Sequence, residues 1–499
     1  MIVHGPILIN SFKLVMYLAF LILNNYVSFI FKTALKKIKV RNSVYMNREN
    51  FIRRIKKILP LGLFNKINRA QFGYRSLFIV FIIGVLTFSI WLSNRIGGDF
   101  QLYSSIAKSS ALIGICLLSL TIFLSLRWHY MESVFGGLDK VYKAHHLTGQ
   151  ITMIVIPLHP VFLVIRVFPN WNFILLYLIP GLNIPYTYGI VSFFLLVILL
   201  IFTLAIKLPY KIWHLTHKFM GIALILGTWH ALVAGRDIIQ YPILRAWILL
   251  FALVGIISYF YMLFFYKLIG PKYKAEVKEV KTIGDITEIK FKTIQKKMNF
   301  HPGQFVFINF LNLQKSFEIF PFSISSSNSE DLIRISAKRS GDFTAHQLPK
   351  VNVGDKVYLY GPYGKFSEKY LFENKDMIWI AGGIGITPFL SMLKTEDLSK
   401  NNKIDFIWTC KDENDIIYDK EIKEIIKNKN NIKYRLWLSN DLGRISVEDI
   451  NQLFEVRDNI TKKLIFICGP NQMMMELADQ FIKLGVKPRN IIFEDFNLI

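Results

Sequence analysis

Six apolar runs in the first half of this 499-residue chain constrain its fold more than any other feature. They lie at about 76–94, 103–126, 145–167, 187–206, 213–234 and 243–266. Each run approaches the roughly 20 residues that an α-helix needs to cross a bilayer. The runs therefore predict a multi-domain membrane protein that begins with an all-α bundle of six spans and changes character near residue 270.

A further apolar run covers about residues 7–31 and is interrupted by Lys13, Asn24 and Asn25. This run is either a seventh span or a helix that lies in the membrane interface. It has no basic n-region and no small-residue cleavage site, so we do not expect a cleaved signal peptide.

The basic residues predict the orientation of the bundle. Residues 32–76 carry thirteen Lys/Arg and only Glu49 as an acid. Because cytoplasmic loops are enriched in Lys and Arg, this segment is expected in the cytoplasm, together with 127–144 and 207–212. Six spans then return residues 270–499 to the cytoplasm. We therefore predict a multi-pass protein of the cell membrane whose C-terminal half is cytoplasmic.

The charge and cysteine content narrow the function classes. A formal net charge of +25 fits either nucleic acid or anionic lipid as a partner. The long apolar runs favour the lipid bilayer, and we expect no nucleic-acid partner. The three cysteines are too few for a four-cysteine iron–sulfur cluster, a structural zinc site or a disulfide framework. Any redox chemistry must therefore use other ligands.

Seven of the ten histidines fall between residues 129 and 230. Ionisable side chains inside spans are costly and usually functional. His145 and His159 are fourteen residues apart, which is close to four helical turns and roughly 20 Å of rise, so they share a face. His217 and His230 are thirteen apart, so their helix is expected to bend. Two glycines in that helix, Gly221 and Gly227, make such a bend easier.

Two parallel spans with a histidine near each end can hold two stacked iron porphyrins, each ligated from both sides. We predict His145 with His217 on the cytoplasmic side and His159 with His230 on the outer side. His146 competes with His145, which we favour because it keeps the four-residue distance to a glycine that His217 also has. Alternatively, the histidines only hydrogen-bond across the bundle. The two ends of a span are too distant for a single zinc site.

The motifs after residue 270 resemble those of a known family. Strand-like segments are followed by strand–glycine turn–helix alternation. The histidine pattern precedes HPGQFVFINF, FPFSISSS, GDFT, GPYG, AGGIGITP, CGP and FEDF. Together these motifs are similar to the NADPH oxidase and ferric reductase family over about residues 76–499.

The resemblance implies four regions: 1–75, with the N-terminal apolar run and the basic stretch; 76–268, the haem-binding bundle; 269–372, an antiparallel β-barrel FAD domain; and 373–499, a parallel α/β NAD(P)H-binding domain. It also implies flavin contacts by Phe320, Pro321, Phe322 and Ser323, and a phosphate turn with Gly341, Asp342 and Thr344. The family usually has His where Phe320 stands, so one polar flavin contact is absent or comes from elsewhere.

A glycine-rich turn after the apolar strand MIWIA is expected to receive the nicotinamide cofactor, because glycine lets a pyrophosphate approach the backbone. Its residues are Gly382, Gly383, Gly385, Thr387 and Pro388. By resemblance, Cys468, Gly469 and Pro470 close the same pocket beside the transferred hydride, and Phe496 stacks on the flavin. The alternatives are a turn without ligand, a buried cysteine and a terminal aromatic that only packs.

Lys411 and Arg444 stand where the family places cations for a 2′-phosphate, which favours NADPH over NADH. The resemblance thus implies FAD, two haem b groups and NADPH, with electrons passing to oxygen or ferric iron outside. Two other classes stay open. One is an electron donor that serves another membrane or extracytoplasmic redox protein, and the other is a non-enzymatic haem-binding membrane protein.

Overall fold

A computed structural model describes residues 66–93, 101–204, 206, 208–313, 318–395 and 402–494. Within these ranges the chain forms a helical bundle followed by two sheets of different topology. The apolar run at 7–31 and the basic stretch before residue 66 lie outside the described residues.

Six helical segments of the described residues are long and apolar enough to cross a membrane, as the apolar runs predict. We call them spans 1 to 6 in chain order: Arg75–Ser93, Leu102–Phe123, Leu138–Val167, Ile184–Leu204, Tyr210–Ala234 and Pro242–Ile269. The predicted six-span all-α bundle is therefore confirmed.

The helices of this half are α1 Lys66–Ser93, α2 Leu102–Phe123, α3 His129–Phe135, α4 Leu138–Val167, α5 Trp171–Leu178, α6 Ile184–Leu204, α7 Tyr210–Lys218, α8 Met220–Ala234, α9 Arg236–Gln240, α10 Pro242–Phe260 and α11 Tyr266–Ile269. A π-helical segment, Tyr261–Phe265, joins α10 to α11. Span 5 thus consists of α7 and α8.

Span 2 packs against spans 1, 3 and 6 through small residues. A Cβ on Gly255 of span 6 would lie 2.9 Å from the Cα of Ser119 in span 2. Small residues let membrane helices approach closely and gain van der Waals contact, because lipid supplies no hydrophobic driving force between helices. Span 2 therefore lies within the bundle, where its carbonyl groups can reach side chains of its neighbours.

The first sheet is antiparallel, with strand order β4-β3-β6-β1-β2-β5. Its strands are β1 Lys272–Ile283, β2 Ile286–Thr293, β3 Phe305–Phe310, β4 Phe320–Ser323, β5 Ile333–Lys338 and β6 Lys356–Tyr363. A bridge between Ile324 and Ile335 joins the two edges, so the sheet closes into the predicted barrel. Three short helices belong to this region: α12 Asp342–His346, the 3₁₀ turn Leu348–Lys350, and α13 Glu368–Phe372.

The second sheet is parallel, with strand order β11-β10-β7-β8-β9. Its strands are β7 Met377–Gly382, β8 Ile404–Cys410, β9 Ile432–Leu438, β10 Leu464–Cys468 and β11 Ile491–Glu494. Its α-helices are α14 Thr387–Lys394, α15 Asp419–Ile426, α16 Ser439–Leu442, α17 Val447–Phe454 and α18 Asn471–Lys483, and its 3₁₀ turns are Gly383–Ile386, Glu413–Asp415, Arg457–Lys462 and Pro488–Asn490. Separate apolar cores cover the two faces. Such a sheet presents its ligand site at the carboxyl ends of its strands.

Candidate functional site

Spans 3 and 5 bring the four predicted histidines together as two pairs. The ring centroids of His145 and His217 are 6.1 Å apart, and those of His159 and His230 are 6.2 Å apart. Two imidazoles that bind one metal ion from opposite sides place their centroids roughly 6 Å apart, since each metal–nitrogen bond is about 2 Å and each nitrogen lies about 1 Å from its ring centre. The spacing of both pairs therefore fits one metal ion between two rings.

Span 2 orients both histidines of span 3. The Nδ1 of His145 donates to the carbonyl oxygen of Thr121 at 2.6 Å, and that of His159 donates to the carbonyl oxygen of Ala107 at 2.8 Å. The two acceptors are fourteen residues apart, as are the two histidines. Because a carbonyl oxygen only accepts, Nδ1 carries the proton and Nε2 keeps its lone pair, which is the form in which histidine binds a metal.

His230 is oriented by span 4, where Nδ1 donates to the carbonyl oxygen of Pro185 at 2.9 Å. Gly189 makes this approach possible, because a Cβ at that position would lie 2.7 Å from the imidazole. His217 differs: its ring stacks on Trp213 at 5.4 Å, and its buried Nδ1 has no hydrogen-bond partner among the described residues.

Span 5 bends between its two histidines, as their thirteen-residue spacing predicts. Helix α7 ends at Lys218 and α8 begins at Met220, with Phe219 between them. Gly221 follows within the first turn of α8 and faces the ring of Tyr259, which a Cβ would meet at 2.3 Å. The α-helix is thus interrupted between the two histidines, and the rings of both lie opposite histidines of span 3.

His145, rather than His146, stands opposite His217. The ring of His146 lies beside that of His145, with centroids 5.8 Å apart. The ring of His214 stacks on that of Tyr210, with ring centroids 5.7 Å apart and an angle of 6° between the planes.

The predicted flavin motif forms strand β4 at the edge of the barrel. Phe322 and Ser323 are buried, and the Ser323 hydroxyl has no hydrogen-bond partner among the described residues. An unpaired buried hydroxyl costs free energy, so this group is suited to a bound polar ligand. Phe320, which replaces the usual His, stacks on Phe343 with ring centroids 3.6 Å apart. An aromatic contact thus stands where the resemblance implies a polar flavin contact in the family.

The predicted phosphate turn precedes helix α12, for which Gly341 is the N-cap. The Thr344 hydroxyl accepts from the backbone N–H groups of Ser340 and Gly341, both at 3.1 Å. A Cβ on Gly341 would meet no atom within 4 Å, so the space beside the turn is open. Thr344 therefore stabilises the turn in this structure, while Asp342 begins the helix beside the open space.

The glycine-rich turn follows β7, as the motif predicts. Gly383 has φ 53°, and a Cβ there would meet no atom within 4 Å. This turn therefore combines a left-handed backbone with open space. Thr387 and Pro388 then start helix α14, with the Thr387 hydroxyl donating to Ile384 O at 3.1 Å.

Cys468, Gly469 and Pro470 lie directly against the glycine-rich turn. A Cβ on Gly385 would lie 2.3 Å from the carbonyl oxygen of Cys468, and one on Gly382 would lie 2.8 Å from Pro470 Cδ. The two motifs meet because β7 and β10 are neighbouring parallel strands that end at the same edge. The structure therefore brings both predicted nicotinamide motifs to one site, with Cys468 fully buried.

Lys411 and Arg444 lie on adjacent segments beyond β8 and β9. The backbone N–H of Asn440 donates to the carbonyl oxygen of Lys411 at 3.0 Å, which connects the two segments. Both side chains are exposed, and Arg444 Nη1 is 3.6 Å from Glu476 Oε1. The pair can therefore present positive charge at the edge of the same site.

Helix α3 joins the bundle to the FAD domain. Buried Glu132 accepts the backbone N–H of Gly364 at 2.8 Å, and its other carboxylate oxygen is 2.9 Å from His129 Nδ1. The His129 ring stacks on Tyr363 at 4.8 Å. Burial, followed by the charge and hydroxyl of Tyr266, raises the pKa of Tyr363, so that this tyrosine stays a neutral donor. The 127–144 segment thus lies on the same side of the bundle as the FAD domain.

Three domain models match consecutive parts of the chain. The ferric reductase like transmembrane component matches residues 110–228, the FAD-binding domain matches 271–367, and the oxidoreductase NAD-binding domain matches 379–479. The chain has the architecture of the NADPH oxidase and ferric reductase family. It is therefore an oxidoreductase with a membrane-spanning domain, an FAD-binding domain and an NAD(P)-binding domain.

Two relatives of this family member each match less than half of it. Sulfhydrogenase 2 subunit gamma of Pyrococcus furiosus is 27% identical over 233 residues, which is 43% of this chain and 79% of the relative. Flavohemoprotein A of Dictyostelium discoideum is 28% identical over 235 residues, 44% of this chain and 58% of the relative. This chain thus spans little more than half the length of that second relative.

One solved structure similar to this family member is the FAD/NAD binding domain of nitric oxide dioxygenase from Vibrio cholerae. It is 24% identical, with a TM-score of 0.39, and the match covers 44% of this chain and 97% of that domain. The assignment to the NADPH oxidase and ferric reductase architecture rests on the three domain models.

Several groups that shape the predicted sites of this family member could not be predicted from the sequence. Trp408 of β8 donates its indole N–H to the carbonyl oxygen of Gly383 at 2.9 Å and so holds the glycine-rich turn. No sequence pattern marks Gly189 or the carbonyls that orient the histidines, because each of them contacts a residue far away in the chain. Phe496, expected against the flavin, lies outside the described residues.

Proposed function

We propose that the protein carries electrons from cytoplasmic NAD(P)H through FAD and two bis-histidine haem b groups to an acceptor on the opposite side of the cell membrane. The acceptor is oxygen, which becomes superoxide, or ferric iron, which becomes ferrous iron. The observation that carries this proposal is the pair of matched histidine contacts, His145–His217 and His159–His230, between the same two spans.

In this proposal the four histidines would hold two irons, one between the rings of each pair. Haem iron exchanges single electrons, and FAD accepts two electrons from NAD(P)H as a hydride and releases them singly. With two histidines held for each iron, a bound haem would have no place for the acceptor at the metal, and the acceptor would receive its electron without binding to it. Carbonyl oxygens of spans 2 and 4 keep three of the rings in the metal-binding tautomer.

The order of the two pairs follows from the packing of span 3. Leu138, Val141 and Ala144 belong to the same apolar cluster as Tyr363 of the FAD domain, which places the start of span 3 against that domain. His145 follows directly and lies at the near end. His159, roughly 20 Å further along the helix, lies at the far end. The His145–His217 pair is therefore the first acceptor and the His159–His230 pair the second.

The reductase half binds both nucleotides in this proposal. Backbone groups of β4 and the Ser323 hydroxyl contact the flavin, and the turn at Gly341 to Thr344 receives its phosphates. The carboxyl ends of β7 and β10 receive NAD(P)H, with Cys468 beside the nicotinamide. The exposed cations Lys411 and Arg444 favour NADPH by binding its 2′-phosphate.

The test is anaerobic reduction of the purified full-length protein. Haem content is measured by pyridine haemochrome, and NADPH or NADH is then added while the haem spectrum is followed. We expect two haems and one FAD per chain, with haem reduction by NADPH. Less than one haem per chain would contradict the two-haem proposal.

The same sample distinguishes the acceptors. Oxygen or ferric citrate is admitted to the reduced protein, and superoxide or ferrous iron is measured. Reoxidation by either one alone identifies the acceptor. Failure of both with full haem reduction would favour an electron donor for another redox protein, and a protein with haem but no reduction by NAD(P)H would favour a non-enzymatic haem-binding function.

A further inference from the structure

Arg127 occupies the junction between the bundle and the FAD domain. It follows the end of span 2, and its guanidinium carbon lies 3.7 Å from the ring centroid of Phe307 and 5.2 Å from that of Tyr266. Phe307 belongs to β3 and pairs with Pro321 of the flavin motif. The cation therefore stacks on a side chain of the strand that pairs with the flavin motif.

The membrane side of Arg127 faces the near histidine pair. Its Nε donates to the hydroxyl of Tyr142 at 3.0 Å, and Tyr142 lies one turn before His145 on span 3. Arg127 thus contacts the helix that carries His145, at the end nearest the FAD domain.

One hydrogen-bond donor of Arg127 is unused. Its Nη1 is buried and has no partner among the described residues, and no carboxylate of those residues forms an ion pair with the guanidinium. Burial lowers the pKa of Arg127, but Tyr142 and Tyr266 outweigh it and the net pKa lies above the usual value. The group is therefore charged. A buried charge without an anionic partner is strongly unfavourable, which indicates that a bound anion completes this site.

We propose that Arg127 binds a carboxylate of the cofactor held between His145 and His217, which for haem is a propionate. This inference rests on the proposed function. An anionic oxygen of the flavin offers the same chemistry. The propionate is favoured because the hydrogen-bonded partner of Arg127 is on span 3, whereas the FAD domain presents an aromatic ring to the face of the guanidinium.

This contact has an electrochemical consequence. Reduction of ferric to ferrous haem adds one electron and removes one positive charge from the iron, so a nearby buried cation favours the reduced state. Arg127 therefore raises the midpoint potential of the near haem and makes it a better acceptor for flavin electrons. The far haem, about 20 Å away along span 3, is affected much less.

The experiment is a spectroelectrochemical titration of the full-length protein with both haems bound. Arg127→Met removes the charge and Arg127→Lys keeps it without the fork of donors. Arg75→Met is the matched control, because Arg75 is an exposed cation on the same side that bonds the carbonyl oxygen of Val134 in α3. FAD content is measured in each variant, and His159→Leu assigns the two potentials.

We expect Arg127→Met to lower the midpoint potential of the near haem, Arg127→Lys to lower it less, and Arg75→Met to leave it unchanged. The far haem keeps its potential in all three variants. If Arg127→Met loses the near haem but keeps the far one, the same contact is supported. The shift in the near-haem midpoint potential is then measured in Arg127→Lys, relative to the wild type.

Two results would overturn the inference. An unchanged near-haem potential in an Arg127→Met protein with both haems excludes the propionate contact. Loss of FAD affinity with unchanged haem potentials assigns the cation to the flavin instead. Failure of the proposed function is distinguishable from both, since the wild-type protein would then contain no haem to titrate.

A second arm removes the carboxylate rather than the arginine. Protein produced without haem is reconstituted with iron protoporphyrin or with its dimethyl ester. In the wild type the ester removes the negative charge that Arg127 neutralises, so it is expected to raise the near-haem potential. In Arg127→Met, where the carboxylate has lost its partner, the ester is expected to bring the lowered potential back towards the wild-type value. An ester that leaves the near-haem potential unchanged in both proteins would show that no carboxylate acts at this site and would contradict the contact.

Discussion

Single residues decide whether a histidine ring can reach its position between the spans. Gly189 is the clearest case, because it has no side chain where the ring of His230 approaches span 4 to donate to Pro185. A methyl group there would overlap the imidazole. The ring of His230 fits only because residue 189 has no side chain, and nothing in the helical pattern of span 4 requires a glycine there.

Gly189→Ala is accordingly expected to displace His230 and to remove the far haem. Haem content should fall from two to one per chain, while FAD content stays unchanged. Gly84→Ala is the control, because a Cβ on Gly84 of span 1 meets no atom within 4 Å. Pyridine haemochrome and protein assays measure the ratio, and two haems in Gly189→Ala would contradict the predicted overlap.

His145 and His146 are neighbours with different expected roles. His145→Leu should remove the near haem and leave the far pair intact, while His146→Leu should keep both haems. NADPH-dependent reduction of a soluble dye should survive in both variants, because hydride transfer takes place in the reductase half. Transfer to the far acceptor should collapse in His145→Leu, since the gap from the flavin grows by roughly 20 Å.

The assay for this pair is haem stoichiometry with reduced-minus-oxidised spectra. Loss of a haem in His146→Leu, with retention in His145→Leu, would reverse the assignment. Full acceptor reduction by a verified one-haem His145→Leu protein would contradict the relay.

At the scale of elements, the nicotinamide site depends on the pairing of two parallel strands. β7 and β10 are adjacent, so the glycine-rich turn and the Cys468 turn follow them at one edge. The turns touch through backbone atoms, with Gly385 against the carbonyl group of Cys468. A larger residue would therefore move one turn away from the other.

Gly385→Ala tests this contact, because its Cβ would lie 2.3 Å from the carbonyl oxygen of Cys468. We expect kcat/KM for NADPH to fall at least about tenfold, which corresponds to about 1.4 kcal/mol of transition-state stabilisation. FAD content and haem reduction by dithionite should stay at wild-type values and serve as internal controls. Unchanged steady-state kinetics with NADPH would show that the turns are not coupled.

At the scale of the whole molecule, an ionic cluster joins the FAD and NAD(P) domains. Buried Arg334 lies 3.4 Å from Glu288 in its own domain and 3.0 Å from Glu421 of α15. Lys394 of α14 is 2.7 Å from Glu421. Because the charges are partly withdrawn from water, the cluster holds the domains in one arrangement only while its carboxylates are ionised.

The cluster predicts that the domain contact weakens in acid. Burial raises the pKa of Glu421, but Arg334 and Lys394 outweigh it, and the net pKa lies below 4.5, the usual value for a glutamate. A lowered folded-state pKa stabilises the protein above pH 4.5, and this stabilisation is lost as the pH falls below that value. Denaturation followed by tryptophan fluorescence should show the decline, and Glu421→Gln should reduce it.

Removal of the central cation tests the same cluster at neutral pH. Arg334→Met leaves two carboxylates without their shared partner, and breaking a buried pair in this way costs about 3–5 kcal/mol. We expect a lower denaturation midpoint of the reductase half and no change in haem content. A midpoint equal to wild type would show that the cluster does not stabilise the domain contact.

Much of the architecture follows from local patterns. The six spans were predictable because bilayer thickness sets the length of an apolar helix. The pairing of His145 with His217 followed from helical spacing and the alternating direction of spans. The bend at Phe219 was predictable because thirteen residues do not complete whole turns. The family resemblance added the flavin and nicotinamide motifs, which their glycine and proline residues mark in the chain.

Local patterns in the chain are enough to predict the order of its elements, the membrane bundle and the residue types that meet in each site. Three features became visible only in the folded chain: the carbonyls of Thr121 and Ala107 orient the rings, Gly189 leaves space for His230, and Arg127 has an unused donor at the domain junction. The two groups of features differ in the distance along the chain over which the interactions act. Apolar length and helical period act between near neighbours, whereas hydrogen bonds and steric fit depend on residues that meet only after the spans and sheets have packed.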